Sequence, residues 1–230
     1  MVLASIVQFL ADAAVTQAAP VAEELTFWNM AVKGGWIMIF LALFSIVAVY
    51  IIVERAFAIS KAAKEDVNFM NEVKNFVAQG KIEEAHIRCQ STDSPVARMI
   101  DKGISRIGKP LADVREAIEN VGKLEVANLE KGLPMLATIS SVGPMIGFLG
   151  TVTGMVRAFY QLAEAGQNSN VSVLANGIYE ALVTTVAGLI VGILALFAYN
   201  FLTSRVNKIM NRLERSTMEF MDLLNEPAKK

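Results

Sequence analysis

The chain has 230 residues, 54% of them hydrophobic and 19% charged, with a net charge of −1 and a mean hydropathy of +0.45. That balance excludes an ordinary soluble domain, and the near-neutral charge argues against a nucleic-acid partner. A single cysteine, Cys89, excludes an internal disulfide, and one histidine with no Cys-x-x-Cys pair, phosphate loop or nucleophile motif leaves no metal site, no cofactor and no enzyme constellation to assign.

The first element in chain order is an apolar segment from Met1 to Ala11, followed by small residues at Gln17-Ala18-Ala19. It lacks the basic n-region of a signal peptide and reads as an amphipathic helix on the outer membrane face. The next element, Gly34 to Val53, is 20 residues without a charge. It is long enough to cross a hydrocarbon core of ~30 Å, and Trp28 and Trp36 fall where interfacial rings are favoured.

A polar region follows and reads as helical throughout, because no stretch alternates with period two. Apolar spacing at Phe57, Val67, Met70, Val73 and Val77 predicts one helix over 56–79, ending at Gly80. A second is expected over 81–89, containing His86 and Cys89, both read as ordinary surface or core residues. A third is expected over 95–107, with Pro95 at its first position. From Leu111 the pattern Val114, Ile118, Val121, Leu124 and Leu129 predicts a helix that runs on into the second span.

That second span, Gly132 to Val156, has 25 residues without a charge. Within it Gly143, Gly147, Gly150 and Gly154 fall in an arc of ~60° on a helix. Such glycines allow close helix approach in lipid. Pro144 lies among them, tolerated as prolines are in membrane helices. The hydroxyls of Ser140 and Thr151 fit either of two roles, gluing helices together or lining a water path. Arg157 lies near the end of the span, where its side chain can snorkel.

The third span contains Glu180, the only charged residue between Ala165 and Ser204. A carboxylate at membrane depth costs at least roughly 2.5 kcal/mol unless neutral, paired or hydrated, and by default marks an ion or proton path. The competing reading is a carboxylate near the helix end reaching the headgroups. Gly177, Glu180, Thr184, Ala187 and Val191 share one side of this helix, while Thr185 is turned by ~140° from Glu180. The apolar stripe Val206, Ile209, Leu213, Met218, Met221 and Leu224 extends the third helix beyond the span.

Residues 54–131 carry 13 of the 21 Lys and Arg, and the tail after Ser204 carries six. The first 33 residues carry one and the loop 166–172 carries none. The positive-inside rule therefore puts the polar region and the C-terminus in the cytoplasm and the N-terminus outside.

The run Pro144-x-x-Gly-Phe-Leu-Gly-Thr-Val-Thr-Gly-Met155, then Gly177-Ile-Tyr-Glu-Ala-Leu-Val-Thr-Thr-Val-Ala-Gly-Leu189 and Ala198-Tyr-Asn200, resembles the ExbB/TolQ/MotA proton-channel family. The likeness is closest to ExbB and TolQ. It is strong over 130–202 and looser from the first span to the end. The resemblance implies a homopentamer in the bacterial inner membrane, with protons as the transported ion, no cofactor, and room for a bound phospholipid. It further implies a single-span ExbD-like or TolR-like partner in the pore, which supplies a membrane aspartate, and a TonB-like or TolA-like protein spanning the periplasm. Glu180 matches the family's pore glutamate, and Thr151 and Thr185 its pore threonines. Thr184 joins this pore set, and Gly188 joins the glycines as a packing residue.

The expected fold is an all-α membrane protein with three transmembrane helices, long cytoplasmic extensions and a helical cytoplasmic domain. The expected units are a periplasmic N-terminal segment (1–33), spans at 34–54, 132–162 and 173–203, a cytoplasmic helical domain (55–131), a periplasmic loop (163–172) and a cytoplasmic helical tail (204–230). The expected function is an ExbB-type subunit energising TonB-dependent import, with a TolQ-type subunit of the Tol-Pal system or a non-conducting membrane hub as alternatives.

Overall fold

The computed structural model describes residues 35–64, 68–165 and 171–225. The expected N-terminal amphipathic helix and most of the short loop lie outside them. Among the described residues there are seven helices and no strand: α1 (Ile37–Ala62), α2 (Phe69–Ala78), α3 (Ile82–Gln90), α4 (Pro95–Ile104), α5 (Leu111–Glu130), α6 (Leu133–Ala165) and α7 (Val171–Asn225). Three helical stretches, in α1, α5–α6 and α7, are long and apolar enough to cross a membrane.

Local sequence explains most boundaries. Ser94 caps α4, its Oγ accepting the Ala97 N–H at 3.2 Å, and Pro95 follows at the first turn where a missing N–H costs nothing. α7 runs unbroken for 55 residues, roughly 80 Å at ~1.5 Å per residue, because no glycine or proline interrupts its polar half.

Three sequence expectations need correction. The helix expected over 56–79 is two helices, since α1 continues from the first span to Ala62 and α2 starts afresh at Phe69. Apolar spacing on both sides of the break keeps a helical period, so periodicity hid it. The helix expected to run on from Leu111 into the second span is also broken. Gly132 stands at φ +85°, a left-handed conformation that other residues rarely adopt, and Pro134 follows in the first turn of α6. The third polar helix ends at Ile104, short of the expected 107.

α6 and α7 form the main helix pair, with α1 packed against both. Below the spans, α2 to α5 gather around the extension of α7. Their shared core includes Val73, Cys89, Met99, Ile100, Val114, Ile118, Leu213 and Phe220. Packing there is tight: a Cβ on Gly103 would lie 2.7 Å from Ile118 Cδ1 and 2.8 Å from Phe220 Cε1. Polar ties set the register around this core. Lys74 reaches Glu219 at 3.1 Å, and Arg88 Nε donates to Glu72 at 2.6 Å. His86 Nδ1 meets Asp101 at 2.6 Å. Arg98 grips Glu125 through two bonds of 2.7 Å and donates to Asp93 at 2.8 Å. Lys61 and Arg98 together hold the Asp93 carboxyl below the usual carboxylate range, although an exposed pair of this kind adds little stability.

Cys89 is buried, and burial, reinforced by the charge of Asp101, pushes its thiol up to about 12. A neutral, enclosed thiol is unreactive. The folded protein is therefore expected to resist maleimide labelling at neutral pH. Phe220→Ala removes a fully buried ring from the same core, a loss of about 3–5 kcal/mol. It should accelerate Cys89 labelling while leaving membrane insertion intact. Equal labelling rates in both proteins would show that α7 does not hold this domain closed.

Candidate proton-path site

The site is built on the close approach of α6 and α7. A Cβ on Gly147 would stand 2.9 Å from the Thr184 carbonyl oxygen and 3.1 Å from Gly188 Cα. One on Gly188 would stand 2.7 Å from the Gly143 carbonyl oxygen, and one on Gly154 2.9 Å from Ala181 Cβ. A Cβ on Gly150 would collide with the Thr184 side chain. Gly143, Gly147, Gly150, Gly154 and Gly188 thus lie in one contact within the chain, along the faces where these helices meet.

Two glycines outside the predicted set join this contact. Gly177 faces Ala158, and Gly192 faces the ring of Pro144 at 2.6 Å from its would-be Cβ. Gly192 sits four residues after Gly188, so the same small-residue spacing that singled out α6 marks α7 as well.

Three threonines lie within this contact. Thr184 is 2% exposed; its hydroxyl donates to the Ala181 carbonyl at 2.7 Å and its body fills the space opposite Gly150. Thr151 and Thr185 meet hydroxyl to hydroxyl across the helix pair. Thr185 also donates to the Gly147 carbonyl at 3.0 Å, and Thr151 to the Ala181 carbonyl at 3.3 Å. Each hydroxyl is thereby satisfied on backbone oxygens, as buried polar groups require.

Glu180 belongs to a different cluster. Its carboxylate turns toward the start of α1, where a Cβ on Gly35 would lie 2.6 Å from Oε1. Arg157 Nη1 stands 3.9 Å from the same oxygen. The Glu180 side chain is 34% exposed and that of Arg157 60%. Gly35, Thr153, Arg157, Glu180 and Thr184 border a cavity of about 20 Å³, room for one water molecule. The turn of ~140° between Glu180 and Thr185 therefore separates two polar clusters. One is Glu180–Arg157–Gly35, the other Thr151–Thr185. Among the described residues no group of three or more His, Cys, Asp or Glu is placed to hold a metal ion.

Sequence reasoning singled out Glu180 but not its surroundings. Arg157 and Glu180 are 23 positions apart and come together only through the hairpin. The usable signal was that they are the charges deepest in the second and third apolar segments.

Comparison with known proteins supplies the context. Residues 91–215 match the MotA/TolQ/ExbB proton channel family. The Tol-Pal system protein TolQ of Haemophilus influenzae is 33% identical over 220 residues, covering 89% of this chain and 96% of that protein. TolQ of Pseudomonas aeruginosa is 38% identical over 101 residues, covering 44% of this chain and 43% of its own length. The biopolymer transport protein ExbB of Neisseria meningitidis is 26% identical over 194 residues, covering 76% of this chain and 84% of its own. The chain belongs to the MotA/TolQ/ExbB proton channel family.

Gly147→Leu must force α6 from α7, because the obstructing atoms are backbone. The expected result is loss of the folded hairpin, read as a collapsed yield of monodisperse protein in mild detergent. Phe148→Leu, on the exposed face of α6, serves as control and should purify normally. A normal yield for Gly147→Leu would mean that the helices do not touch at this point.

Proposed function

We propose that this member of the family is the channel subunit of an inner-membrane motor, in which proton flow through the spans energises a process in the outer envelope. The single observation that carries this reading is Glu180, a carboxylate on an apolar helix beside a water-sized cavity and a cation. A proton path at membrane depth needs a titratable group or water, and this position offers a titratable group and room for one water molecule. One such carboxylate per chain is few for a complete path. A single-span ExbD-like or TolR-like partner with its own membrane aspartate would supply the remainder, within a pentamer of this chain. A TonB-like or TolA-like protein would carry the motion across the periplasm.

The exposed apolar residues on the spans, Phe148, Phe159, Leu182, Ile190 and Phe197 among them, suit lipid and neighbouring copies. The Thr151–Thr185 pair would line the route that the partner helix follows. TonB-linked import is one destination for the motion. The end-to-end similarity to a TolQ, covering 96% of that protein, favours envelope maintenance as the second reading. Complementation separates them: rescue of detergent sensitivity in a tolQ deletion strain supports the Tol reading, and rescue of TonB-dependent uptake in an exbB deletion strain the import reading.

Glu180→Gln keeps size and hydrogen bonding but removes the titratable proton. It is expected to abolish proton-motive-force-dependent function while leaving complex yield unchanged, since the glycine contact is untouched. Thr151→Val and Thr185→Val should each reduce function only partly, because one hydroxyl contact is lost and the carboxylate remains. Full activity of Glu180→Gln would remove the carboxylate from the proton path.

Orientation has its own test. The polar helical domain is assigned to the cytoplasm from the 13 Lys and Arg within 54–131. A cysteine introduced at Asn168 in a Cys89→Ser background should react with an impermeant thiol reagent in intact cells, and one introduced at Lys109 should not. The opposite pattern would invert the protein.

A further inference from the structure

We propose that Arg157 and the start of α1 form a parking place for the Glu180 carboxylate, which holds it away from the Thr151–Thr185 pair until the complex is engaged. The inference rests on the reading of Glu180 as the proton-path residue and adds the device that keeps the path shut.

Three observations converge on it. First, α1 begins without a capping side chain: Trp36 makes no cap hydrogen bond, and no acidic residue stands in the first turn. The N-terminal end of a helix carries partial positive charge and unsatisfied N–H groups, and favours an anion. The anion beside it comes from another helix, for Glu180 Oε1 lies 2.6 Å from where a Cβ of Gly35 would be. Second, Arg157 approaches the same oxygen from α6 at 3.9 Å. That distance is an electrostatic contact without a hydrogen bond, so the carboxylate is attracted but not clamped. Third, Gly35 has φ +68° and lacks the one atom that would evict the carboxylate.

The parked position faces α1. The hydroxyl pair on α6 and α7 lies around the helix from it, so the carboxylate must leave Arg157 and Gly35 to reach that pair. A closed resting state is useful here because a carboxylate joined permanently to a polar lane would leak protons without doing work. Arg157 is a positioning residue in this scheme: it acts through Glu180 and carries no proton itself.

The test uses the whole complex, purified from its membrane and reconstituted in vesicles with a trapped pH-sensitive dye under an imposed potential. Arg157→Gln removes the counter-charge at a half-exposed position and is not expected to disturb folding. It should raise the passive proton leak about fivefold or more, a change that one helix-end or ion-pair interaction can support. Gly35→Ala, which crowds the carboxylate at 2.6 Å and also strains the left-handed backbone there, should raise it as well. Arg157→Lys keeps the positive charge and should bring the leak back toward the native level. Adding Glu180→Gln to Arg157→Gln should abolish the increase. A native leak in Arg157→Gln, or an increase that survives Glu180→Gln, overturns the parking place. If Glu180→Gln alone kills energised function while Arg157→Gln leaks no more than native, only the parking place falls. If Glu180→Gln alone is fully functional, the channel reading falls with it.

Discussion

The contact between α6 and α7 is the constraint on which the rest of the site depends. In lipid there is no hydrophobic drive to press two apolar helices together, so association rests on backbone proximity and polar contacts. Here glycine meets backbone at Gly147 and Gly188, and glycine meets side chain at Gly150 and Gly154. That closeness lets Thr185 on α7 donate to the Gly147 carbonyl on α6, and brings the Thr151 and Thr185 hydroxyls together. Were the helices set apart by one methyl group, Thr185 would lose both of its partners on α6, and Thr151 would fall back on the Gly147 carbonyl of its own helix. The packing face and the polar pair are therefore one feature seen twice.

The same contact fixes where charge can sit. With the α6 face of α7 occupied by small residues and threonines, Glu180 is displaced to the groove where α1 starts, and Arg157 meets it there from the loop end of α6. A lone carboxylate in this groove would carry the full cost of a charge in an apolar setting. A nearby cation and a helix N-terminus offset it from two sides. Half-exposure of Arg157 keeps its own cost low, since a long side chain can hold its head toward water.

Much of this was legible in the sequence, and the limits are physical. Three spans, the glycine arc on α6 and the isolation of Glu180 follow from hydropathy and from the 3.6-residue period, which are local properties. So does the long polar half of α7, and Pro95 marks the start of α4. Breaks inside a helix-forming pattern were not legible: no glycine or proline marks the gap between α1 and α2, and Gly132 looks like one more small residue in a span. Partners across the fold were not legible either. That Thr185 meets Thr151, that Thr184 packs against Gly150, and that Glu180 meets Arg157 and Gly35 depend on how two helices rotate about their axes. Such rotation is set by packing, not by spacing along one chain.

The two long helical arms differ in stiffness, and this bears on how motion could pass between spans and polar domain. α7 carries Glu180 and Phe220 on one unbroken helix of 55 residues, so rotation about its axis at one end is transmitted to the other. The α5–α6 arm has a joint at Gly132, where left-handed backbone leaves no continuous hydrogen-bond ladder. Arg212 of α7 donates to the Ala63 carbonyl at the end of α1, and Lys74 of α2 holds Glu219. The polar domain is thus fastened to the unbroken arm on one side and meets the spans through the Gly132 turn on the other. A displacement of Glu180 relative to α1 has one rigid path into that domain, along α7, and the Gly132 turn is where the α6 side can give without breaking the glycine contact above it.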